Sequence, residues 1–271
     1  MSDRERLAEY VEVWWQAIED FTTLLEEIPD AEWSTPTDLP GWDVRAVAAH
    51  IAHLEGVLAG HPEETVEVGE PDHATGLMGL YTEQGVVSRR DRSADELINE
   101  IRESATTRKT ALLADPPTDG SAKPPQILGG VGWDWQTLLR NRPLDVWMHE
   151  QDVRRAVGRP GGLDSPAAEH TAVYLAESMG YVLAKRAGAP TGTTLVIDVT
   201  GQPPTAFEVD ERGRGQRLPE RPSTPTVSLS LDREAFILLA GGRTSPAPGS
   251  VRVDGDQELG QRLVDLIAVT P

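Results

Sequence analysis

The chain contains no cysteine among its 271 residues. Disulfides, thiolate nucleophiles and cysteine-based metal sites are therefore excluded. Basic residues are scarce: 25 Lys and Arg stand against 44 Asp and Glu, for a formal net charge of −19. Nucleic-acid binding needs Lys and Arg to displace counterions from phosphates. A chain this acidic is read as binding neither nucleic acid nor an anionic membrane. The acidity names no substrate, since it also accompanies salt adaptation or high solubility. No run approaches the roughly 18 apolar residues of a membrane span. Met1-Ser2-Asp3-Arg4-Glu5-Arg6 lacks the apolar core of a signal peptide. A soluble, cytoplasmic protein is expected, as a monomer or weak homodimer.

What is present is helix, then strand. Hydrophobic residues make up 38% of the chain, enough for a core though below the usual globular share. The 25 Gly and 21 Pro concentrate in 115–132, 158–166 and 188–225, where they separate helical blocks. Leu7, Val11, Trp14, Trp15, Ile18, Phe21, Leu24, Leu25 and Ile28 recur at helical spacing over 3–28. Asp43 is the N-cap of a second helix carrying Val44, Val47, His50, Ile51, Leu54 and Val57. Ser93 and Glu96 form a capping box for a third helix over 93–114. The intervening 62–92 reads as irregular, with a short helix around 76–88. A fourth helix covers 133–157 and contains Pro143, which predicts a kink or break near 140–142. A fifth spans 165–187. Beyond it, 193–200, 206–209, 226–231 and 250–253 have strand character, interleaved with helices over 232–240 and 257–267. This predicts an α+β fold class, with a helical domain over 1–187 and a smaller α+β domain over 188–271. Helix 165–187 can belong to either.

The stretch Arg142-Pro143-Leu144-Asp145-Val146-Trp147-Met148-His149 places a carboxylate and an imidazole four residues apart on one helix. Residues at that spacing share a face, with Cβ atoms about 5–6 Å apart. Such a pair can hold a divalent metal between two side chains. His50, on the second helix, is the third candidate ligand if the two helices are neighbours in a bundle. Two imidazoles and one carboxylate leave open positions on the ion, as catalytic rather than structural sites do. Zinc is the most economical choice, with iron(II), nickel and manganese compatible with the same donors. His53 competes with His50, and Glu150 and Asp152 compete with Asp145. Asp152 is also placed to orient the His149 ring. His61, His73 and His170 read as exposed, and Arg154 and Arg155 as interdomain salt-bridge residues. Trp42, Trp133, Trp135 and Trp147 are either core or the lining of an apolar pocket.

The segment Leu39-Pro40-Gly41-Trp42-Asp43-Val44-Arg45-Ala46-Val47-Ala48-Ala49-His50-Ile51-Ala52-His53 resembles the signature of the mycothiol-dependent maleylpyruvate isomerase family. These are DinB-like four-helix metalloproteins of actinobacteria. In that family the histidine nine positions after the glycine of the turn binds metal, which the resemblance carries to His50. The second family motif is an acidic residue, three residues, then His, usually followed by Asp. Asp145, His149 and Asp152 match it. Better-known members carry Glu where this chain has Asp145, one methylene shorter. The region 193–271, with Leu238-Leu239-Ala240-Gly241-Gly242-Arg243 and Val251-Arg252-Val253-Asp254-Gly255-Asp256, is similar to the family's sterol-carrier-like C-terminal domain. Arg243 matches an arginine thought to assist substrate binding.

The resemblance implies a divalent metal, most simply Zn2+, held by His50, Asp145 and His149. It implies mycothiol as co-substrate and a small electrophile as substrate. The implied activity is isomerisation or thiol S-transfer, with Arg243 assisting. Two other classes stand beside it: a non-catalytic binding or regulatory protein on the same scaffold, and a metal-dependent hydrolase or tailoring enzyme that uses water.

Overall fold

The computed structural model describes residues 1–270. The chain divides into two compact units, one from Met1 to Gly162 and one from Leu163 onward. The first unit is helical: α1 (Asp3–Glu26), α2 (Val44–Leu58), α3 (Gly76–Ser88), α4 (Ala94–Ala114) and α5 (Trp135–Ala156). Helix α1 packs on α4 and α5, and α2 packs on those same two, so these four close a bundle. Helix α3 adds to the outside of α2.

Local chemistry sets the helix starts. Ser2 with Glu5, and Ser93 with Glu96, form reciprocal capping boxes on α1 and α4. Asp43 caps α2 through the Ala46 N–H at 2.8 Å. Asp134 caps α5 through the Thr137 N–H at 2.8 Å. Each such cap contributes about 1 kcal/mol. Helix α1 buries Leu7, Val11, Trp14, Ile18, Phe21 and Leu25 along one face. Helix α2 is different: every residue but Arg45 is buried. A helix that is apolar all round belongs at the centre of a fold. It nonetheless carries His50, His53 and Glu55 into that interior.

Helix α5 is a single helix through Pro143, where the sequence suggests a kink or break. Proline removes one backbone bond and crowds the preceding turn. Arg142, next to it, makes two bonds to Glu55 and one to Asp145, which hold that turn in place.

The segment expected as one helix over 165–187 opens the second unit and is not uniform. It consists of α6 (Pro166–Glu177), a turn α7 (Met179–Tyr181) and a π-helical stretch Val182–Arg186. The change falls where Gly180 meets strand β3 (Gly215–Leu218). A Cβ on Gly215 would sit 1.9 Å from the Gly180 carbonyl oxygen, so only glycine allows the approach. The other strands are β1 (Thr194–Val199), β2 (Thr205–Val209), β4 (Val227–Leu231) and β5 (Val251–Gly255). Their order is β3-β2-β1-β4-β5, with β1 and β4 parallel and the other pairs antiparallel. Helix α8 (Arg233–Ala240) packs on α6, and α9 (Gln257–Leu266) covers β4 and β5. Among the described residues no helix is long and apolar enough to cross a membrane.

One buried carboxylate ties the helical unit together. Glu55 of α2 is fully buried. Its Oε1 accepts from the Trp14 indole of α1 at 3.0 Å and from Arg142 Nη2 of α5 at 2.8 Å. Its Oε2 accepts from Arg108 Nη1 of α4 at 3.1 Å. Burial opposes the charge on Arg142, but Glu55 and Asp145 outweigh it and raise its pKa. Removing one partner of a buried ion pair leaves an uncompensated charge and costs about 3–5 kcal/mol. Glu55→Ala is therefore expected to lower unfolding free energy by at least that range in urea denaturation. A loss under about 1 kcal/mol would show that the buried arginines find other partners.

Candidate metal centre

Among the described residues, His50, Asp145 and His149 form the one group able to hold a metal ion, with their ligand atoms all within 4.8 Å of one another. His50 comes from the second turn of α2, and Asp145 and His149 from one face of α5. Asp145 Oδ2 lies 3.5 Å from His50 Nε2, and Asp145 Oδ1 lies 3.8 Å from His149 Nε2. The two imidazole centroids are 4.8 Å apart, with their planes at 70°. These separations exceed good hydrogen bonds and suit donors arranged around a shared ion, with metal–ligand distances of about 2.0–2.2 Å.

The residues also fit such an ion by what they leave unmet. Both nitrogens of His50 are buried without a hydrogen-bond partner. Orphaned buried polar atoms are costly, and a ligand bond would satisfy one of them. Burial holds His50 below the ordinary imidazole range, so its ring is neutral and keeps a lone pair. Burial by itself would raise Asp145. Arg142 outweighs it, followed by His50 and His149, and the carboxyl is held well below the usual range. Asp145 is thus an anion beside two imidazoles.

His149 has a fixed orientation. Its Nδ1 lies 3.2 Å from Asp152 Oδ2, while Asp152 Oδ1 accepts from Arg155 Nη2 at 2.6 Å. With Nδ1–H donating to Asp152, Nε2 is left to face Asp145 and His50. Carboxylates behind histidine ligands set tautomer and ring angle in this way. Arg155 Nε reaches Asp38 at 2.6 Å, which fastens the turn containing Trp42 to α5. The Trp42 ring stands 5.0 Å from His50 and 6.0 Å from His149, and forms a wall of the site. Its indole donates to Glu83 Oε2 at 2.9 Å, and His73 Nε2 meets the same oxygen at 3.1 Å. Gly41 makes room for that histidine: at φ +80°, a Cβ there would lie 2.4 Å from the His73 ring.

Several sequence-level alternatives separate cleanly. His53 faces α3, with its ring 5.3 Å from Tyr81 and against Gly85. Glu150 pairs with Arg154 at 2.6 Å, and Asp152 stands behind His149. Neither carboxylate joins the cluster. Arg154 and Arg155 make their ion pairs within the first unit, not between domains. Trp147 is core, donating to the Gly162 carbonyl at 3.0 Å. Trp133 and Trp135 pack against Leu54, Val57, Leu58, Leu128 and Leu138. Of the histidines read as exposed, His61 and His73 are exposed, His73 with its ring on Glu83, and His170 is half-buried against Tyr174. Arg243 lies just after α8 in the second unit, where its Nη1 donates to the Gly241 carbonyl at 2.7 Å. Glu55, Arg108, Arg142 and Glu83 went unnoticed in sequence. Glu55 had a signal, as the sole carboxylate in a largely apolar helix.

The family model for the mycothiol maleylpyruvate isomerase N-terminal domain matches residues 14–154, and that for the MDMPI C-terminal domain matches residues 169–262. The chain belongs to this family. A crystal structure of the mycothiol-dependent maleylpyruvate isomerase is similar over 94% of this chain and 96% of its own, with TM-score 0.57 and 21% identity. A crystal structure of a histidine-to-alanine mutant of that isomerase gives the same values. At that identity the likeness shows the shared fold. No curated protein matches the chain significantly in sequence. In this member of the maleylpyruvate isomerase family, the turn and the helix that carry the signature are the ones that bring His50 to Asp145 and His149.

The neighbouring His53 gives a pH test. Burial, then Arg89 and His50, lowers its pKa to about 4. The unfolded chain, with an ordinary histidine near 6.5, takes up the proton first as pH falls. The stability tied to neutral His53 is complete above about pH 6.5 and is lost toward about pH 4. The denaturation midpoint of the wild type is expected to fall more steeply between about pH 7 and 4.5 than that of His53→Gln. Equal slopes would remove His53 as a cause.

Proposed function

We propose that this chain is a divalent-metal-dependent, mycothiol-using isomerase or S-transferase acting on a small electrophile. The observation that carries the reading is the His50–Asp145–His149 cluster, whose partnerless buried imidazole and neighbouring carboxylate suit an ion with open positions. Family membership adds the thiol. When bound, a divalent ion supplies Lewis acidity that lowers a thiol's pKa and makes thiolate available near neutral pH. Zinc suits the two imidazoles and one carboxylate best.

The chain's own residues have distinct tasks in this reading. His50, Asp145 and His149 hold the ion. Asp152 fixes the His149 tautomer, and Arg155 fixes Asp152. Trp42 walls one side of the site and limits access of water. The absence of cysteine from the chain agrees with a nucleophile that is borrowed. A conjugated electrophile that takes up a thiolate, rotates and releases it is isomerised; one that retains it is thiolated. Arg243 stays in the reading as the group for a substrate carboxylate, bound as a bidentate pair. Family resemblance supports that role.

The test uses purified full-length protein. Elemental analysis is expected to return about one divalent ion per chain, with turnover of an electrophilic substrate that requires mycothiol. His149→Ala should lose both the ion and the thiol-dependent rate, with unchanged far-UV circular dichroism. Arg243→Ala should raise KM for a carboxylate substrate and leave metal content as it was. An ion retained at full occupancy in His149→Ala, or turnover indifferent to mycothiol, overturns the reading.

A further inference from the structure

One of the two Asp145 oxygens is already committed to a cation of the protein. Arg142 is fully buried and forks between two carboxylates. Its Nε and Nη2 donate to Glu55 Oε1 at 3.0 and 2.8 Å, and its Nη1 donates to Asp145 Oδ2 at 2.8 Å. Glu55 cannot swing to follow, because Trp14 and Arg108 hold it from two further helices. Oδ2 also lies 3.5 Å from His50 Nε2, and the oxygen not bonded to Arg142, Asp145 Oδ1, faces His149 Nε2 at 3.8 Å.

We infer that Arg142, anchored by Glu55, is a positioning residue that restricts Asp145 to offering one oxygen to the metal. The inference rests on the metal reading above. A bond from Oδ2 to an ion as well would compete with the charge-assisted hydrogen bond from Arg142, which is stronger than a bond between neutral groups. That competition keeps a coordination position open that a two-oxygen carboxylate would fill.

Charge points the same way. Glu55, Arg108, Arg142 and Asp145 make a connected set of two anions and two cations. Asp145 is already balanced inside the protein, and an imidazole that ligates an ion adds no charge to it. A divalent ion placed there keeps its charge for the exogenous ligand. Arginine is required by this geometry: its planar fork spans two carboxylates, whereas the lysine ammonium is a point charge at the end of a flexible stem.

The test is the visible spectrum of the full-length protein loaded with cobalt(II), whose absorption is strong in four-coordinate sites and weak at higher coordination. The double variant Glu55→Gln/Arg142→Met removes one anion and one cation together, and exchanging a buried pair for uncharged groups is often tolerated. The amide oxygen introduced by Glu55→Gln can take the Oε2 position and still accept from Arg108. This variant is expected to fold by circular dichroism and to lose at least half of the cobalt band intensity as Asp145 engages through both oxygens. Arg142→Lys, which retains the buried charge but not the fork, is expected to show a smaller loss in the same direction; it becomes the deciding variant if the double variant does not fold. A folded variant with the wild-type spectrum overturns the inference and leaves the metal reading standing. A wild-type protein that takes up no cobalt and no zinc overturns both.

Discussion

The helical unit depends on the carboxylate of Glu55. It sits in the most enclosed helix of the bundle and receives hydrogen bonds from α1, α4 and α5. A buried anion is expensive unless paired and hydrogen-bonded, and here all three surrounding helices contribute a donor. Arg108 shares in this arrangement: burial lowers its pKa to about 10, and its guanidinium packs over the Trp14 ring at 4.6 Å. Apolar packing alone would tolerate small slides and rotations of these helices. A directional, charged junction does not, because each displaced helix leaves a buried charge less well satisfied.

That junction reaches the metal cluster in one step. Arg142 lies between Glu55 and Asp145, so the helix-locking network and the candidate ligand set share a side chain. On the opposite side, Asp38, Arg155 and Asp152 form a second chain of charges that ends on His149. One chain comes from the bundle interior and the other from the turn that carries Trp42. Between them, two of the three ligands are braced from outside the cluster. His50 lacks such a brace, and its orientation comes from burial in α2 and contact with Trp42.

Much of this was legible in the chain because it is local. Asp43, Ser93 and Glu96 announce their helix starts by residue type and spacing. The strands over 194–199, 205–209, 227–231 and 251–255 alternate or run apolar as strands do. Asp145 and His149 share a face by spacing alone. What was not legible depends on contacts between residues far apart in sequence. The short β3 is polar and carries no strand pattern of its own, and its place is set by Gly215 meeting Gly180. The uniform helix expected over 165–187 gives way for the same reason. Pro143 argues locally for a break, and Arg142 overrides it through a partner far upstream. Arg155 reads as an interdomain charge until the turn at Asp38 is brought beside it.

The cap at Asp43 and the ligand at His50 are joined by a fixed stretch of helix. Trp42 lies against His50, and Asp43 starts the helix by accepting from the Ala46 N–H. Each residue of an α-helix turns the chain by about 100°. One residue inserted or removed between the cap and His50 would carry the imidazole to another face of α2, away from Asp145. The interval between them therefore acts as a ruler, and its length is as much a part of the metal centre as the side chains at its end.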